Sequence, residues 1–257
     1  MGGGCKEKAY DSYVGKIIDL TGEEEQVLKL KYDSDGNIIQ YGETSVKYDG
    51  DEVIIGKMRC LHSADSLIGV TFKMGKGKAH ESSATCMLKV KDGVYREVEK
   101  HTVYEYKGDT IHILSDYWEA ADHRFLKNVQ GKYIFDEEGR LKEVITTHVE
   151  ANNKISSCHT YYNYDNNINC RANLNLQAYV VDWDGMDNFF YFLLNLGELR
   201  NRSALPNDIG YCMNHGLSTY NVHANYQLDD DNLIRIEALY NYTKLLSRIS
   251  IFYLPSD

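Results

Sequence analysis

Apolar and polar residues alternate along several stretches of the chain, and this period of two predicts β-strands. The clearest stretches place apolar residues at Leu28, Leu30 and Tyr32, at Leu174, Leu176, Ala178 and Val180, and at Ile234, Ile236, Ala238 and Tyr240. The residues between them are mostly polar and include Lys29, Lys31, Arg235 and Glu237. Because successive side chains of a strand point to opposite faces, each stretch predicts a sheet with one buried face and one solvated face. We place the four charged residues on the solvated face.

Turn segments rich in Asp, Asn and Gly recur between strand-like flanks. The copies are Tyr32–Ile39, Tyr48–Ile55, Tyr106–Ile111, Phe135–Leu141, Tyr164–Ile168 and Leu228–Ile234. These residue types tolerate the positive φ angles of tight turns, so each copy predicts a β-hairpin. Serial hairpins predict a mostly β fold, an antiparallel meander of roughly 12 to 16 strands if each strand spans about 5–8 residues. Because a sheet of that width curls or closes, we expect it to be curled or barrel-like.

One segment has a helical pattern instead. Between Met186 and Arg202 apolar residues lie on almost every side, and the polar positions recur at helical spacing. We therefore predict one buried apolar helix near 186–202, packed on the concave side of the sheet as a lid or plug. Asp187 is its natural N-cap. A second short helix or turn is predicted at Tyr117–Phe125.

Composition and charge exclude several classes of function. The chain has 257 residues, with 28 basic and 38 acidic side chains, and its net charge of −10 argues against general binding to nucleic acid or to anionic membranes. Its longest wholly apolar run, Phe189–Leu194, is far shorter than the roughly 20 residues of a membrane helix. Since no Pro- or Gly-rich linker divides the chain, we predict a flexible tether at 1–10 and a single domain at 11–257.

The turn units YDSDGNIIQY (residues 32–41) and FDEEGRLKEV (135–144) resemble the hairpin unit of Rhs-type YD repeats. The whole chain resembles a family of uncharacterised Bacteroidetes surface lipoproteins with a porin-like fold. The shared features are a Cys-led N-terminus, serial YD-type hairpins, the late apolar helix, a Leu205–Pro206 step and a final hairpin. The resemblance implies a barrel-like fold and a location in the cell envelope. It implies no catalytic residues, and among the turn copies only Arg140 supplies the Arg of the repeat.

The N-terminal Gly-Gly-Cys resembles the cleavage end of a bacterial lipobox. Cys5 is then the lipid attachment site, and the protein is anchored to the outer membrane, on its periplasmic or its cell-surface side, with no other membrane contact. N-myristoylation fits poorly because position 6 is Lys6 rather than Ser or Thr. The alternative is a disordered end whose cysteine has no role.

The sequence contains no motif for catalysis, metal or cofactor. We find no nucleophile elbow, no zincin helix, no phosphate-binding loop and no dinucleotide fingerprint. The His and Cys residues do not converge at zinc spacing, and the Asp-rich segments are read as turns rather than calcium loops. We therefore expect no cofactor, no metal site and no assigned catalytic residue, and free cysteines rather than a disulfide framework.

Aromatic residues interleaved with amides give the strongest binding signal. Aromatic rings can stack on the C–H faces of sugars while amides bond their hydroxyls, and the candidate residues are Tyr161, Tyr162, Tyr164, Tyr179, Trp183, Asn173 and Asn175. The alternative is that these tyrosines are ordinary strand residues.

From these observations we expect a non-enzymatic, envelope-anchored binding or scaffold lipoprotein whose ligand is unknown, with glycans and peptides as candidates. The rival function is an envelope hydrolase whose site forms only in three dimensions. A true outer-membrane barrel is the structural rival, and the charged outer positions argue against it.

Overall fold

A computed structural model of the chain describes residues 13–20, 25–59, 66–89, 94–164, 168–169, 174–175, 178, 186–197, 204–213, 218–230, 233–241 and 244–254. Within these ranges there are nineteen strands and one helix. In chain order they are β1 Val14–Asp19, β2 Gln26–Tyr32, β3 Ile38–Tyr41, β4 Thr44–Asp49, β5 Glu52–Ile55, β6 Met58–Arg59, β7 Ser66–Gly75, β8 Lys78–Lys89, β9 Tyr95–Lys107, β10 Thr110–Glu119, β11 Arg124–Phe135, β12 Leu141–Glu150, β13 Ile155–Asn163, β14 Ile168–Asn169, α1 Met186–Leu193, β15 Ala204–Leu205, β16 Asp208–Met213, β17 Ser218–Leu228, β18 Ile234–Asn241 and β19 Lys244–Tyr253.

The strands form one closed antiparallel barrel. Strands that follow one another in the chain pair with each other around the wall. One exception is β13, which pairs with β16. β1 pairs with both β2 and β19, which joins the two ends of the sheet. Because β5 and β6 both pair with β7, they share one position, and the barrel has 16 strands. The predicted mostly β, barrel-like meander with one helix is confirmed; β14 and β15 form a separate two-stranded ladder.

Hydrogen bonds in two hairpin turns explain why the turn unit repeats. After β2, the Asp33 carboxylate accepts the backbone N–H of Asn37 at 2.9 Å, and the intervening Gly36 has a φ of 82°. After β11, Asp136 accepts the backbone N–H of Arg140 at 2.8 Å, and the glycine before it has a φ of 74°. In both turns the aspartate caps an N–H while glycine supplies the left-handed backbone conformation.

Most of the other predicted hairpins are also present. β4–β5 and β9–β10 are joined by the turns predicted at Tyr48–Ile55 and Tyr106–Ile111. The turn residues 165–167 and 231–232 lie outside the described residues. The strands that flank 231–232, β17 and β18, pair as predicted. The hairpin predicted at Tyr164–Ile168 is wrong, because β13 pairs with β16 and β14 pairs with β15. At Tyr117–Phe125 the chain forms the end of β10, a turn and the start of β11, so the turn is correct and the helix alternative is wrong.

The alternate apolar residues of the strands face the interior of the barrel. One continuous hydrophobic core contains buried residues from strands all around the wall together with α1, among them Ile17, Phe72, Tyr133 and Phe192. Prediction and structure agree on β2, where Leu30 is buried and both neighbouring lysines are exposed. The predicted alternation at Leu174–Val180 is not a strand in its described part, because Leu174 lies in a bend and Ala178 in a 3₁₀ turn.

The face predicted for Glu237 is wrong. Its side chain is 1% exposed and lies on the inner face, opposite Tyr226 of β17 and Ile249 of β19. The reason is a register shift between β17 and β18, where Gln227 pairs with Ile236 and the next residue pairs with Ile234. An extra residue in one strand reverses the alternation of side chains beyond it.

α1 is shorter than predicted and ends at Leu193. Asn195 has a φ of 52°, its N–H donates to the Phe192 carbonyl at 3.0 Å, and the Leu196 N–H donates to the Tyr191 carbonyl at 2.9 Å. This pair of bonds is a Schellman motif, in which a residue in the left-handed conformation terminates a helix. Asn195 therefore stops the helix inside the apolar run, and the predicted residues 198–202 lie outside the described residues.

Candidate functional site: the barrel interior and a cleft at its rim

A buried ion pair fixes the start of α1 inside the barrel. Nζ of Lys100, on β9, lies 3.1 Å from Oδ1 of Asp187, and the two side chains are 1% and 0% exposed. The same ammonium lies 5.2 Å from the centre of the Tyr117 ring. Because neither charge is solvated, the attraction between them compensates for desolvation only while the helix stays in place. The pair therefore makes the position of α1 specific.

Aromatic side chains hold the middle of the helix. Tyr191 stacks on Tyr104 of β9 with ring centroids 4.4 Å apart and planes at 5°. The Tyr106 hydroxyl donates to the Ala79 carbonyl at 2.7 Å, and so the Tyr191 hydroxyl, 2.9 Å away, donates to Tyr106. Burial raises the pKa of Tyr104 and of Tyr191 well above the ordinary range of tyrosine. These phenols stay neutral, and their role is to bind the helix to the wall.

The predicted ligand-binding residue Asn175 belongs to this interior. It is 1% exposed, and its side-chain amide donates to the Phe192 carbonyl near the C-terminus of α1 at 2.9 Å. Nearer the start of the helix, Phe189 and Phe190 lie 5.9 and 6.0 Å from the Tyr41 ring of β3. Contacts thus reach the helix from several parts of the wall, and the interior is packed as a core.

Tyr162 and Tyr164 contribute to a cleft at the rim. Both are buried, and they line a space of about 410 Å³ together with Asp136, Glu137, Glu138, Arg140, Lys142 and Asn163. The Tyr164 hydroxyl donates to the Leu141 carbonyl at 2.7 Å. Burial and the nearby Asp136 carboxylate raise the pKa of Tyr164.

The charge of this cleft is largely balanced. Arg140 lies over the Tyr164 ring at 4.9 Å and pairs with Asp136 and with Glu138, each at 2.7 Å. The arginine is therefore held by two carboxylates and one aromatic face. The exposed groups of Glu137, Lys142 and Asn163 leave donors and acceptors at the mouth. Such a mixture suits a hydroxylated, weakly charged ligand.

Tyr161 points to the outer face of the barrel, away from Tyr162 and Tyr164. It is 48% exposed, and its hydroxyl lies 2.6 Å from Nδ1 of His159, whose Nε2 contacts the Glu143 carboxylate. Partial burial and the Glu143 charge raise the pKa of Tyr161. The structure thus divides the three neighbouring tyrosines between two surfaces, as the alternation of a strand requires.

The remaining predicted site residues, Cys5, Asn173, Tyr179 and Trp183, lie outside the described residues. Among the described residues, no disulfide joins Cys86, Cys158 or Cys212. No group of three or more His, Cys, Asp or Glu side chains in the described ranges is arranged to hold a metal ion.

The outer face carries charge on several strands. Along β9 the outward residues include Glu97, Glu99, His101, Glu105 and Lys107, all exposed. Exposed lysines on other strands are Lys29, Lys31, Lys47, Lys73 and Lys132. No helix in the described ranges is long and apolar enough to cross a membrane.

Sequence reasoning missed Lys100, although the pattern contains a signal for it. The alternate residues of β9 that face the interior are Val98, Lys100, Thr102 and Tyr104, whereas most acidic residues of the strand face outward. When one cationic residue lies among the alternate residues that are otherwise uncharged, a buried partner is indicated, because an unpaired buried charge is strongly unfavourable. The partner itself, 87 residues away in Asp187, could not be identified from spacing.

Comparisons with known proteins identify relatives of the chain. A protein-family model matches residues 14–251 of the chain. The crystal structure of a porin-like protein from Bacteroides vulgatus ATCC 8482 matches with a TM-score of 0.90 and 66% identity, covering 96% of this chain and 100% of that one. A porin-like protein from Bacteroides uniformis ATCC 8492 shares the fold, with a TM-score of 0.56 and 12% identity over 95% of this chain and 100% of that one. No curated protein matches.

Proposed function

Since the chain belongs to the family of the Bacteroides vulgatus porin-like protein, we propose that it is a non-enzymatic binding or scaffold protein of the cell envelope rather than an open channel. The observation that carries this proposal is the occupied interior. α1 is fixed by the Lys100–Asp187 pair and by the stack of Tyr191 on Tyr104. A barrel packed in this way offers a rigid outer surface and rim for binding.

The fold is consistent with an outer-membrane or envelope protein, and the charged outer face favours attachment over insertion. A lipid-facing band is apolar, and a Lys or Arg side chain at the bilayer midplane costs about 2–4 kcal/mol, with a smaller cost for Asp and Glu. The five outward charged or titratable residues of β9 would each meet lipid in an inserted barrel. A lipid chain on Cys5 would instead hold the barrel at the membrane surface.

A glycan or a peptide is the ligand class that the rim cleft favours. Tyr162 and Tyr164 stand beside Asn163 and the polar mouth residues of the 410 Å³ space. Aromatic bodies next to amides and balanced charges suit a ligand with hydroxyl or amide groups.

Two measurements test the proposal. In planar bilayers, we expect the purified protein to give no stepwise conductance, and ion currents of porin size would contradict the occupied interior. On glycan and peptide arrays, we expect the protein to bind some of the immobilised ligands. Glu137→Gln and Lys142→Gln, at the mouth of the cleft, should weaken this binding. Tyr161→Ala, on the opposite face of the same strand region, is the matched control and should bind like the unaltered chain.

An envelope hydrolase is the second candidate function, and the contacts among Glu143, His159 and Tyr161 are the observation that favours it. A carboxylate, an imidazole and a hydroxyl in series resemble the order of an activated nucleophile. A chromogenic ester or glycoside panel with His159→Ala tests this possibility, and turnover lost in that variant would support the hydrolase.

A further inference from the structure

The wall of the barrel is interrupted beside β2. On one side, Gln26–Lys29 pair with β1 along their whole length. On the other side, pairing with β3 begins only at Leu30, which lies opposite Tyr41. β3 is four residues long and pairs with β4 at two positions, so this hairpin does not extend alongside the first half of β2. In the described part of the chain, no strand pairs with that edge of Gln26–Lys29.

The backbone groups at this edge are those that a further strand would bind. The carbonyl of Lys29 accepts the N–H of Gly42 at 2.8 Å, which shows that the Lys29 backbone faces the interruption. Since alternate residues of a strand direct their N–H and C=O groups to the same side, the backbone of Val27 faces it as well. A closed barrel normally has no such edge, because closure pairs every strand on both sides.

A cleft of about 1010 Å³ occupies the interruption. Its inner lining is apolar, with buried Tyr41 and half-buried Leu28 and Met58. Its outer lining is formed by exposed residues, of which Val27 is 49% exposed. An extended segment in the cleft would therefore direct one set of alternate side chains toward apolar groups and the other set toward the outer rim.

The outer rim is basic although the chain as a whole is acidic. Lys29, Lys31 and Lys57 line the cleft and are exposed, and among the lining residues that the structure describes Glu43 is the one that is acidic. Among the described carboxylates, none forms an ion pair with these three lysines. A local excess of positive charge on a chain of net charge −10 selects an anionic ligand.

We propose that this cleft binds an extended peptide whose residues alternate between apolar and acidic, and which adds a strand to the free edge of β2. Main-chain hydrogen bonds to the N–H and C=O of Val27 supply affinity, since the Lys29 carbonyl is already bonded to Gly42, and alternate side chains supply specificity, as in other cases of strand addition. Apolar side chains face Leu28 and Met58, and acidic side chains face the lysines. The inference rests on the proposed binding function, since it names a ligand class for it, but it uses a different surface from the cleft at Tyr162 and Tyr164.

The test is a titration of the whole protein with a fluorescent, end-capped hexapeptide of alternating Val and Glu. A peptide of the same composition in block order and a Val–Lys peptide are the controls. We expect binding of the alternating Val–Glu peptide only. Lys29→Glu combined with Lys31→Glu should weaken it about tenfold or more at low salt, whereas Lys132→Glu, an exposed lysine on β11, should not.

A backbone variant tests the strand geometry itself. Val27→Pro removes an N–H that faces the cleft and not β1, so the wall keeps its ladder while one hydrogen bond to the peptide is lost. We expect about threefold to tenfold weaker binding, with unchanged circular dichroism. Equal binding of the block-order peptide, or an unaffected Val27→Pro variant, would overturn strand addition.

Other occupants give distinct results. Saturable binding of decanoate, with no binding of the alternating peptide, would assign the cleft to an amphiphile and overturn the inference. An absence of peptide binding, together with array signals that depend on Glu137 and Lys142, would overturn this inference alone and leave the proposed function standing.

Discussion

The carboxyl group of Glu237 should make the barrel less stable as the pH rises from mildly acidic to mildly basic values. Its side chain is 1% exposed, and neither carboxyl oxygen has a hydrogen-bond partner within the described residues. Across the register, Ile249 presents an apolar face, and the hydroxyl of Tyr226 donates to the Pro206 carbonyl instead. With no partner to compensate for desolvation, burial raises the pKa of Glu237 to about 8.

The direction of this change in stability depends on whether the folded or the unfolded chain keeps the Glu237 carboxyl group protonated. Below pH 4.5, the ordinary value for this group, both the folded and the unfolded chain are protonated, and the residue has no effect. Above it the unfolded chain ionises while the folded chain does not, so the free energy of unfolding falls by up to about 1.4 kcal/mol per pH unit. The fall stops near pH 8, where the folded chain ionises too. The total loss is on the order of 3–5 kcal/mol.

The variant Glu237→Gln isolates this contribution, because glutamine has a similar shape and does not ionise. We expect its stability relative to the unaltered chain, measured by reversible urea unfolding from pH 4.5 to 8.5, to increase across that range. Other titrating groups cancel in the difference between the two proteins. Glu97→Gln, at an exposed position of β9, is the control for the loss of a solvated carboxyl group. A flat difference for Glu237→Gln would refute the assignment of a neutral, buried acid.

Three further sets of substitutions test the buried ion pair, the turn glycines and the end of the helix. Asp187→Asn leaves the Lys100 ammonium buried without its counter-charge, and we expect urea unfolding to show a loss of about 3–5 kcal/mol that Lys100→Met in the same chain largely restores. Gly108→Ala and Gly50→Ala place a Cβ in open space at φ angles of 60° and 62°, so each should lose about 1–2 kcal/mol from backbone conformation alone, and unequal losses would contradict this reasoning. At the helix end, where φ is 52°, thermal unfolding should show Asn195→Val less stable than Asn195→Gly by about 1–2 kcal/mol.

The strands could be predicted from the sequence because their determinants are local. The aspartate and glycine of the turn at Asp33–Asn37 lie within five residues of each other, and they fix the hairpin whatever surrounds it. The phase of β2 follows in the same way from alternate leucines and lysines. Closure of the barrel has no such signal, because the pairing of Ile17 with Ile251 joins opposite ends of the chain.

The interior was less predictable because two local rules failed there. The alternation through β18 suggested a solvated Glu237, but an extra residue near Arg235 reversed the inner and outer faces. The apolar run suggested a helix to Arg202, but Asn195 adopted the left-handed conformation that ends it at Leu193. In each case one residue with unusual backbone geometry outweighed a pattern carried by many side chains.

The position of the basic cleft can be traced to the spacing of the turn units. Tyr32 and Tyr48, which begin two successive units, are 16 residues apart, and the strands between them are β3 and β4, of four and six residues. Phe135 begins a unit 29 residues after Tyr106, and the strands between those units, β10 and β11, have ten and twelve residues. Strands of unequal length cannot pair along their full length around one barrel. The first half of β2 is therefore left without a neighbouring strand on one side. There the wall exposes a strand edge between apolar residues and lysines.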